Sequence, residues 1–245
     1  MQNQIVILAA GKGKRMGKLD LPKVLVPLQG QPLISHLLDE LKPLKASMHP
    51  IIVIGYMHGR VKEVLGKEYD YVLQREQLGT AHAVWTAREK IKAKNVLVLY
   101  GDTPFIKRKS LEKLMRLHEQ QEAIISMFTT RVPNFAGKFA SFLDYGRIIR
   151  DEFGNIIKIT EYKDASPEVR KIKELNPGIY MFNTQWLWDN IDRIQTDNVQ
   201  QEFYLTDIVE VAINEDQSIL SLPIDAKEVL GINTPEQLKQ LERVG

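Results

Sequence analysis

Short apolar runs separated by amphipathic stretches fill the first hundred residues. Ile5-Val6-Ile7-Leu8-Ala9-Ala10, Ile51-Ile52-Val53-Ile54, Tyr71-Val72-Leu73 and Val96-Leu97-Val98-Leu99-Tyr100 are rich in β-branched residues and close on glycine or polar residues. Near-continuous apolar runs of this length are what strands buried on both faces require. Between them, residues 33–44, 58–66 and 80–91 place apolar side chains at three- and four-residue spacing, the period of a helix. Alternating strands and helices predict an α/β fold, Rossmann-like, with a mostly parallel central sheet and helices on both faces. Ligands bind such sheets beyond the carboxyl ends of the strands. The loops after the first, third and fourth runs therefore carry the most information.

The second half is less regular. A helix is predicted over 111–118 and a strand over 123–130, followed by a loop, 134–144, rich in Phe and Gly. Strands over 145–150 and 156–161 flank the Phe153-Gly154-Asn155 turn, and 175–183 reads as one strand. Helices are predicted over 186–194 and 205–214, and a closing helix over 235–244 with Thr234 as N-cap and Pro235 at its first position. Without repeats, low-complexity stretches or a linker, one domain over 1–245 is expected. Its first half would span about 1–130 and an inserted substrate lobe about 131–230, with 231–245 closing the fold.

Composition narrows the field. Lys+Arg number 33 against 31 Asp+Glu, a net charge of +2, and no long basic run exists beyond the first loop, which disfavours nucleic acid as partner. The absence of cysteine excludes disulfides, thiolate catalysis and cysteine-bound zinc. No apolar stretch approaches the roughly 20 residues that cross a bilayer, so no membrane partner is expected. Met1 leads almost directly into the first strand, so a soluble cytoplasmic protein is the default expectation.

The first strand opens into Gly11-Lys12-Gly13-Lys14-Arg15-Met16, with Pro22-Lys23 soon after. Glycines let backbone N–H groups approach a polyphosphate, and Arg15 and Lys23 supply charge to neutralise it. Met16 stands where a dinucleotide fingerprint needs its third glycine, and no P-loop spacing is present. After the third strand, the amides of Gln74 and Gln77 each offer a donor and an acceptor, which suits a uracil or thymine edge. Gly79-Thr80 opens a helix, with Thr80 near its N-cap. His82 lies on the apolar side of that helix, where packing is the simpler role. Asp102, just past the fourth strand, stands where a hard divalent ion would bridge a carboxylate to phosphate oxygens, although Gly101-Asp102 is also an ordinary turn.

Five motifs in register carry a family resemblance. They are Leu8-Ala9-Ala10-Gly11-x-Gly13-x-Arg15-Met16 with Pro22-Lys23, Gln74 to Ala83, and Tyr100-Gly101-Asp102. Tyr145-Gly146-Arg147-Ile148 with Glu161-Tyr162-Lys163, and Asn176-Pro177-Gly178 with Gln201 to Ile208, complete the set. The chain resembles the sugar-phosphate nucleotidyltransferases over about residues 5–241, nearest the uridylyltransferase half of the bifunctional N-acetylglucosamine-1-phosphate uridylyltransferase/acetyltransferases. The acetyltransferase half, a left-handed β-helix, has no counterpart in these residues.

The resemblance implies Mg²⁺-dependent transfer of a uridylyl group from UTP to a sugar 1-phosphate, N-acetylglucosamine 1-phosphate first. UTP or dTTP with glucose 1-phosphate, or a non-catalytic sensor, are the alternatives. It implies nucleotide contacts from Leu8, Ala9, Ala10, Gly11, Gly13, Gln74, Gln77, Gly79 and Thr80. Sugar contacts would come from Tyr100, Gly146, Glu161 and Asn176, metal ligands from Asp102 and Asn233, and catalytic charge from Arg15, Lys23 and Lys163. Lys163, two residues past Glu161, would share its side of a strand, or be a solvated lysine. Against the family pattern, loop 134–144 is long, Pro177 replaces a threonine and 18–21 differs. The sugar, UTP against dTTP, the oligomeric state and the pathway stay open.

Overall fold

A computed structural model describes residues 2–17, 20–44 and 49–242. The first half forms β1 (Asn3–Ala9), a two-residue ribbon β2 (Pro27–Leu28) and β3 (Gln31–Pro32), β4 (Ile51–Ile54), β5 (Asp70–Leu73) and β6 (Asn95–Tyr100). Helices α1 (Leu33–Leu41), α2 (His58–Leu65) and α3 (Thr80–Thr86) connect them. The second half adds α4 (Arg108–Gln120), β7 (Ile125–Arg131), β8 (Gly146–Arg150), β9 (Ile156–Thr160), α5 (Pro167–Arg170), β10 (Glu174–Asn176) and β11 (Tyr180–Asn183). Then follow α6 (Thr184–Asn190), α7 (Asp207–Asn214), β12 (Ile219–Pro223) and α8 (Pro235–Glu242).

One ten-stranded sheet runs β5-β4-β1-β6-β11-β7-β10-β8-β9, with β12 added on β7. Parallel pairing holds from β5 through β4 and β1 to β6. Beyond β6 the pairings of β11, β10, β8 and β9 are antiparallel, and only β12 pairs parallel with β7. Strand β1 is buried along its whole length because side chains alternate between two cores. Ile5, Ile7 and Ala9 meet Leu37 of α1 and Leu111 and Leu114 of α4. Val6, Leu8 and Ala10 meet Ala81 and Val84 of α3 and Ile208 and Val209 of α7.

Three expectations change. The strand expected over 175–183 is two strands, because Pro177 has no N–H to offer and Gly178 turns at φ +79°. Both pieces lie along β7, but β10 continues to β8 while β11 continues to β6. The sheet therefore parts beside the end of β6. Residues 219–223, read as no element, form β12, a short run that closes on Pro223 and is held by its pairing with β7. The helices expected over 33–44, 80–91 and 186–194 stop at Leu41, Thr86 and Asn190 and end in single 3₁₀ turns. Thr234 does cap α8, its Oγ1 accepting from Gln237 N at 3.3 Å while Gln237 Oε1 accepts from Thr234 N at 3.1 Å. Residues 243–244 of that expected helix lie outside the described residues, as do 18 and 19 of the divergent 18–21 segment. Among the described residues, no helix is long and apolar enough to cross a membrane.

Candidate active site

The loop after β1 is fastened at three points. Ala10 O accepts from Tyr56 N at 3.1 Å, and a Cβ on Gly55 would stand 2.8 Å from that oxygen. At Gly13 the chain turns at φ +61°, so close to Lys23 that a side chain would collide with its Cβ at 2.7 Å. Met16 is 3% exposed and packs with Val26, Leu28, Leu33 and Ile232. That packing explains the methionine where a dinucleotide loop has glycine: it ties the basic loop to the segment carrying Asn233.

Four of the residues singled out in the sequence meet at this loop. Lys23 Nζ donates to Asp102 Oδ2 and, at 2.6 Å, to Asn233 Oδ1. Arg15 donates from Nη2 to the same Asn233 oxygen at 3.0 Å and from Nη1 to Asp144 Oδ2 at 2.5 Å. Asp144 was missed, being a lone carboxylate at the end of a loop. Its signal was its place immediately before Tyr145-Gly146. The backbone holds these groups in place: Gly101 N donates to Leu8 O at 3.0 Å and Ile232 N to Asp102 O at 3.3 Å. Tyr145 Oη donates to Val229 O at 2.7 Å and accepts from Gly231 N at 2.9 Å, anchoring the chain before Asn233.

On the other side of the first loop, Gln74 is 3% exposed. Its Nε2 donates to Gly79 O at 3.1 Å and lies 3.0 Å from His82 Nδ1, while Gln77 Nε2 donates to Gln74 O at 3.3 Å. Gly79, at φ +115°, presses on Phe203, whose oxygen would be 2.5 Å from a Cβ. Thr80 stands next to the N-cap of α3, Gly79. It is the first helical residue, and its Oγ1 accepts from Leu205 N at 2.9 Å, which joins the loop to 203–205.

A cleft of about 150 Å³ is lined by Tyr100, Asp102, Asp144, Gly146, Glu161, Asn176, Gly178 and Asn233 among others. It occupies the place where the sheet parts. Asn176 Oδ1 accepts from Gly178 N at 2.9 Å, and the Tyr100 ring lies so close to Gly178 that a Cβ there would be 2.3 Å from Cε2. Gly146 leaves the wall open toward Glu161 Oε1 and Asn176 Cβ. Burial pushes the Glu161 carboxyl up to about 7, with Asp207 and Asp164 adding to the rise. Burial also raises Asp207 itself, to about 6.

The Phe-rich loop is not loose. Arg147, fully buried, donates to Leu143 O and Tyr145 O, and its guanidinium sits 4.6 Å from the Phe135 ring centroid and 5.1 Å from that of Tyr162. Lys163 stands apart. Strand β9 ends at Thr160 and the chain turns, Asp164 N donating to Glu161 O at 3.0 Å, so strand alternation no longer places Lys163 beside Glu161. It is exposed and does not line the cleft.

A glycine-rich basic loop at the carboxyl end of a strand in a Rossmann-like sheet, opening on a cleft, fits the sugar-phosphate nucleotidyltransferases. Residues 5–153 match the family profile described as the MobA-like NTP transferase domain, and the chain belongs to that family. It is 41% identical over 238 residues to the bifunctional protein GlmU of Desulfotalea psychrophila, covering 96% of this chain and 68% of that protein. It is 37% identical over 241 residues to bifunctional protein GlmU of Bacillus licheniformis, covering 97% of this chain. There, as in several other GlmU proteins, the chain spans about half the relative's length, 51% in that case.

Two solved structures share the fold at low identity. A UDP-glucose pyrophosphorylase complexed with UDP-glucose superposes with TM-score 0.78 at 17% identity, over 100% of this chain and 98% of that one. A putative glucose-1-phosphate thymidylyltransferase from Bacillus anthracis gives TM-score 0.74 at 19% identity, over 99% and 94%.

Proposed function

We propose that this chain transfers a uridylyl group from UTP to a sugar 1-phosphate, N-acetylglucosamine 1-phosphate first, releasing pyrophosphate. The observation that carries the reading is the seat of Lys23. Two oxygen donors from distant elements, Asp102 Oδ2 and Asn233 Oδ1, converge on one cation position beside the cleft and the glycine loop. Carboxylate and amide oxygens are hard donors, so this position fits Mg²⁺, with Asp102 and Asn233 holding it. When bound, the ion neutralises charge on the phosphate oxygens.

The chain's own residues do the rest. Lys23, drawn off its seat, and Arg15 bind the triphosphate and stabilise the leaving pyrophosphate. The backbone from Leu8 to Gly13 lets phosphate approach, and Gln74, Gln77, Gly79 and Thr80 face the nucleoside. Tyr100, Gly146, Glu161 and Asn176 orient the sugar in the cleft of the second lobe. A phosphate oxygen of the sugar 1-phosphate attacks the α-phosphorus of UTP in line. The bond to the bridging oxygen breaks and its electron pair leaves on pyrophosphate. Positioning and charge neutralisation suffice, with no protein nucleophile.

Pyrophosphate release is measured for four nucleoside triphosphates against a panel of hexose 1-phosphates. Turnover is expected only with Mg²⁺, a uridine or thymidine triphosphate and a sugar 1-phosphate together, highest with UTP and N-acetylglucosamine 1-phosphate. A preference for dTTP with glucose 1-phosphate would replace the substrates. Folded protein without turnover on any pair would make it a binding protein.

A further inference from the structure

We propose that His82 is a positioning residue that fixes the Gln74 amide so that an acceptor alone meets the base. That selects a pyrimidine with an N3–H, uracil or thymine, over cytosine. The proposal rests on the reading above that Gln74 faces the nucleotide base.

Gln74 is buried, and both directions of its NH₂ are taken. One leads to Gly79 O at 3.1 Å and the other to His82 Nδ1 at 3.0 Å. Gly79 O accepts only, and its position is set by the contact of Gly79 with Phe203. An imidazole nitrogen that accepts carries no proton, so His82 holds its proton on Nε2. Turning the amide over would set Oε1 against Gly79 O, and would keep the contact with His82 only if the ring moved its proton to Nδ1. Oε1 is thus the group left to a ligand. Uracil and thymine offer a donor at N3, whereas neutral cytosine has a lone pair there and meets Oε1 with repulsion. His82 is itself held by its stack on Trp85, ring centroids 6.3 Å apart and planes 18° off parallel. The residue that the sequence pattern assigns to packing thus acts on the base through Gln74.

The test compares kcat/KM for UTP and CTP, with one sugar 1-phosphate, in the parent, Gln74→Ala, His82→Phe and His82→Asn. His82→Phe keeps a ring against Trp85 but removes the acceptor. The UTP/CTP ratio should fall about five- to ten-fold, the size of one hydrogen bond's net contribution, chiefly through a higher KM for UTP. His82→Asn, whose Oδ1 stands near the former Nδ1, should restore the ratio to within about two-fold of the parent, the acceptor being regained. A ratio that collapses in Gln74→Ala but is unchanged in His82→Phe overturns the role of His82 and leaves the base assignment standing. A ratio unchanged in Gln74→Ala removes the base assignment and this proposal with it. Should His82→Phe not fold, ¹⁵N shifts of the His82 ring in the parent still decide: protonation on Nε2 is expected, and protonation on Nδ1 refutes the proposal.

Discussion

Gly178→Ala probes how the cleft is made. The residue sits at φ +79°, where an L side chain costs about 1–2 kcal/mol. The added Cβ would also lie 2.3 Å from Tyr100 Cε2 and 3.2 Å from Cδ2 and Cζ. The Tyr100 ring is packed at the end of β6 against buried apolar residues, so it can yield only by moving into the cleft. Overpacking of this kind costs about 1–3 kcal/mol. Together the two effects come to about 3 kcal/mol, or roughly 6–12 °C in Tm for a chain of this size. Gly154→Ala separates them, because Gly154 has φ +87° with nothing within 4 Å of its Cβ position. That variant should lose the conformational part alone, about 1–2 kcal/mol. Calorimetry gives the two Tm values, and steady-state kinetics give KM for each substrate. With the ring displaced, KM for the sugar 1-phosphate should rise about ten-fold or more, equivalent to about 1.4 kcal/mol, while KM for UTP stays within about two-fold. If Gly178→Ala is no less stable than Gly154→Ala and binds the sugar phosphate normally, the ring does not rest on Gly178 and the reasoning fails.

Asp102→Ala should lower kcat about 100-fold or more while the protein stays folded, since one oriented charge-stabilising contact is worth about 3 kcal/mol; activity within a few-fold at saturating Mg²⁺ would remove Asp102 from the site. Lys23→Met should bind Mn²⁺ more tightly than the parent without nucleotide, as seen by electron paramagnetic resonance, because the resident ammonium is gone. Equal affinities would show that Lys23 does not hold that position. Glu174 is 7% exposed and accepts from Arg131 Nη2 at 2.8 Å and Arg150 Nη2 at 2.6 Å. Glu174→Ala should cost about 2–3 kcal/mol in urea unfolding, below the full penalty for a broken buried pair because Arg131 is exposed, and a loss under about 1 kcal/mol would refute that. Glu161 and Asp207 are held at about 7 and about 6 in the fold, against ordinary values of 4.5 and 3.8. The folded state therefore binds more protons across that window, and the stability they contribute is present at low pH and lost as pH rises through about 6–7. Glu161→Gln should flatten the fall in Tm between pH 5 and pH 8, a range bracketing the two raised values of about 6 and about 7, and an unaltered slope would mean Glu161 is not buried.

The hydrophobic period by itself determined the strands β1, β4, β5 and β6 and the helices between them, because a side chain's face follows from near neighbours in the chain. The start of α8 was equally legible, its Thr234-Pro235 signal being contained in one turn of backbone. The candidate residue types were readable too, because a glycine-rich basic loop after a buried strand suits phosphate and the later motifs lie in register with it. What only the tertiary structure decided are relations across long separations. Arg15 and Asn233 are 218 positions apart, and Lys23 and Asp102 are 79 apart. Their meeting depends on how β1 and β6 pair and on Tyr145 pinning the 229–231 segment. Asp144 joined them unannounced, and Lys163 fell outside because β9 stops two residues before Tyr162. The break at Pro177-Gly178 is written in the sequence as a proline and a glycine. That it parts the sheet beside Tyr100 follows from which strands lie on either side, and no local propensity encodes that.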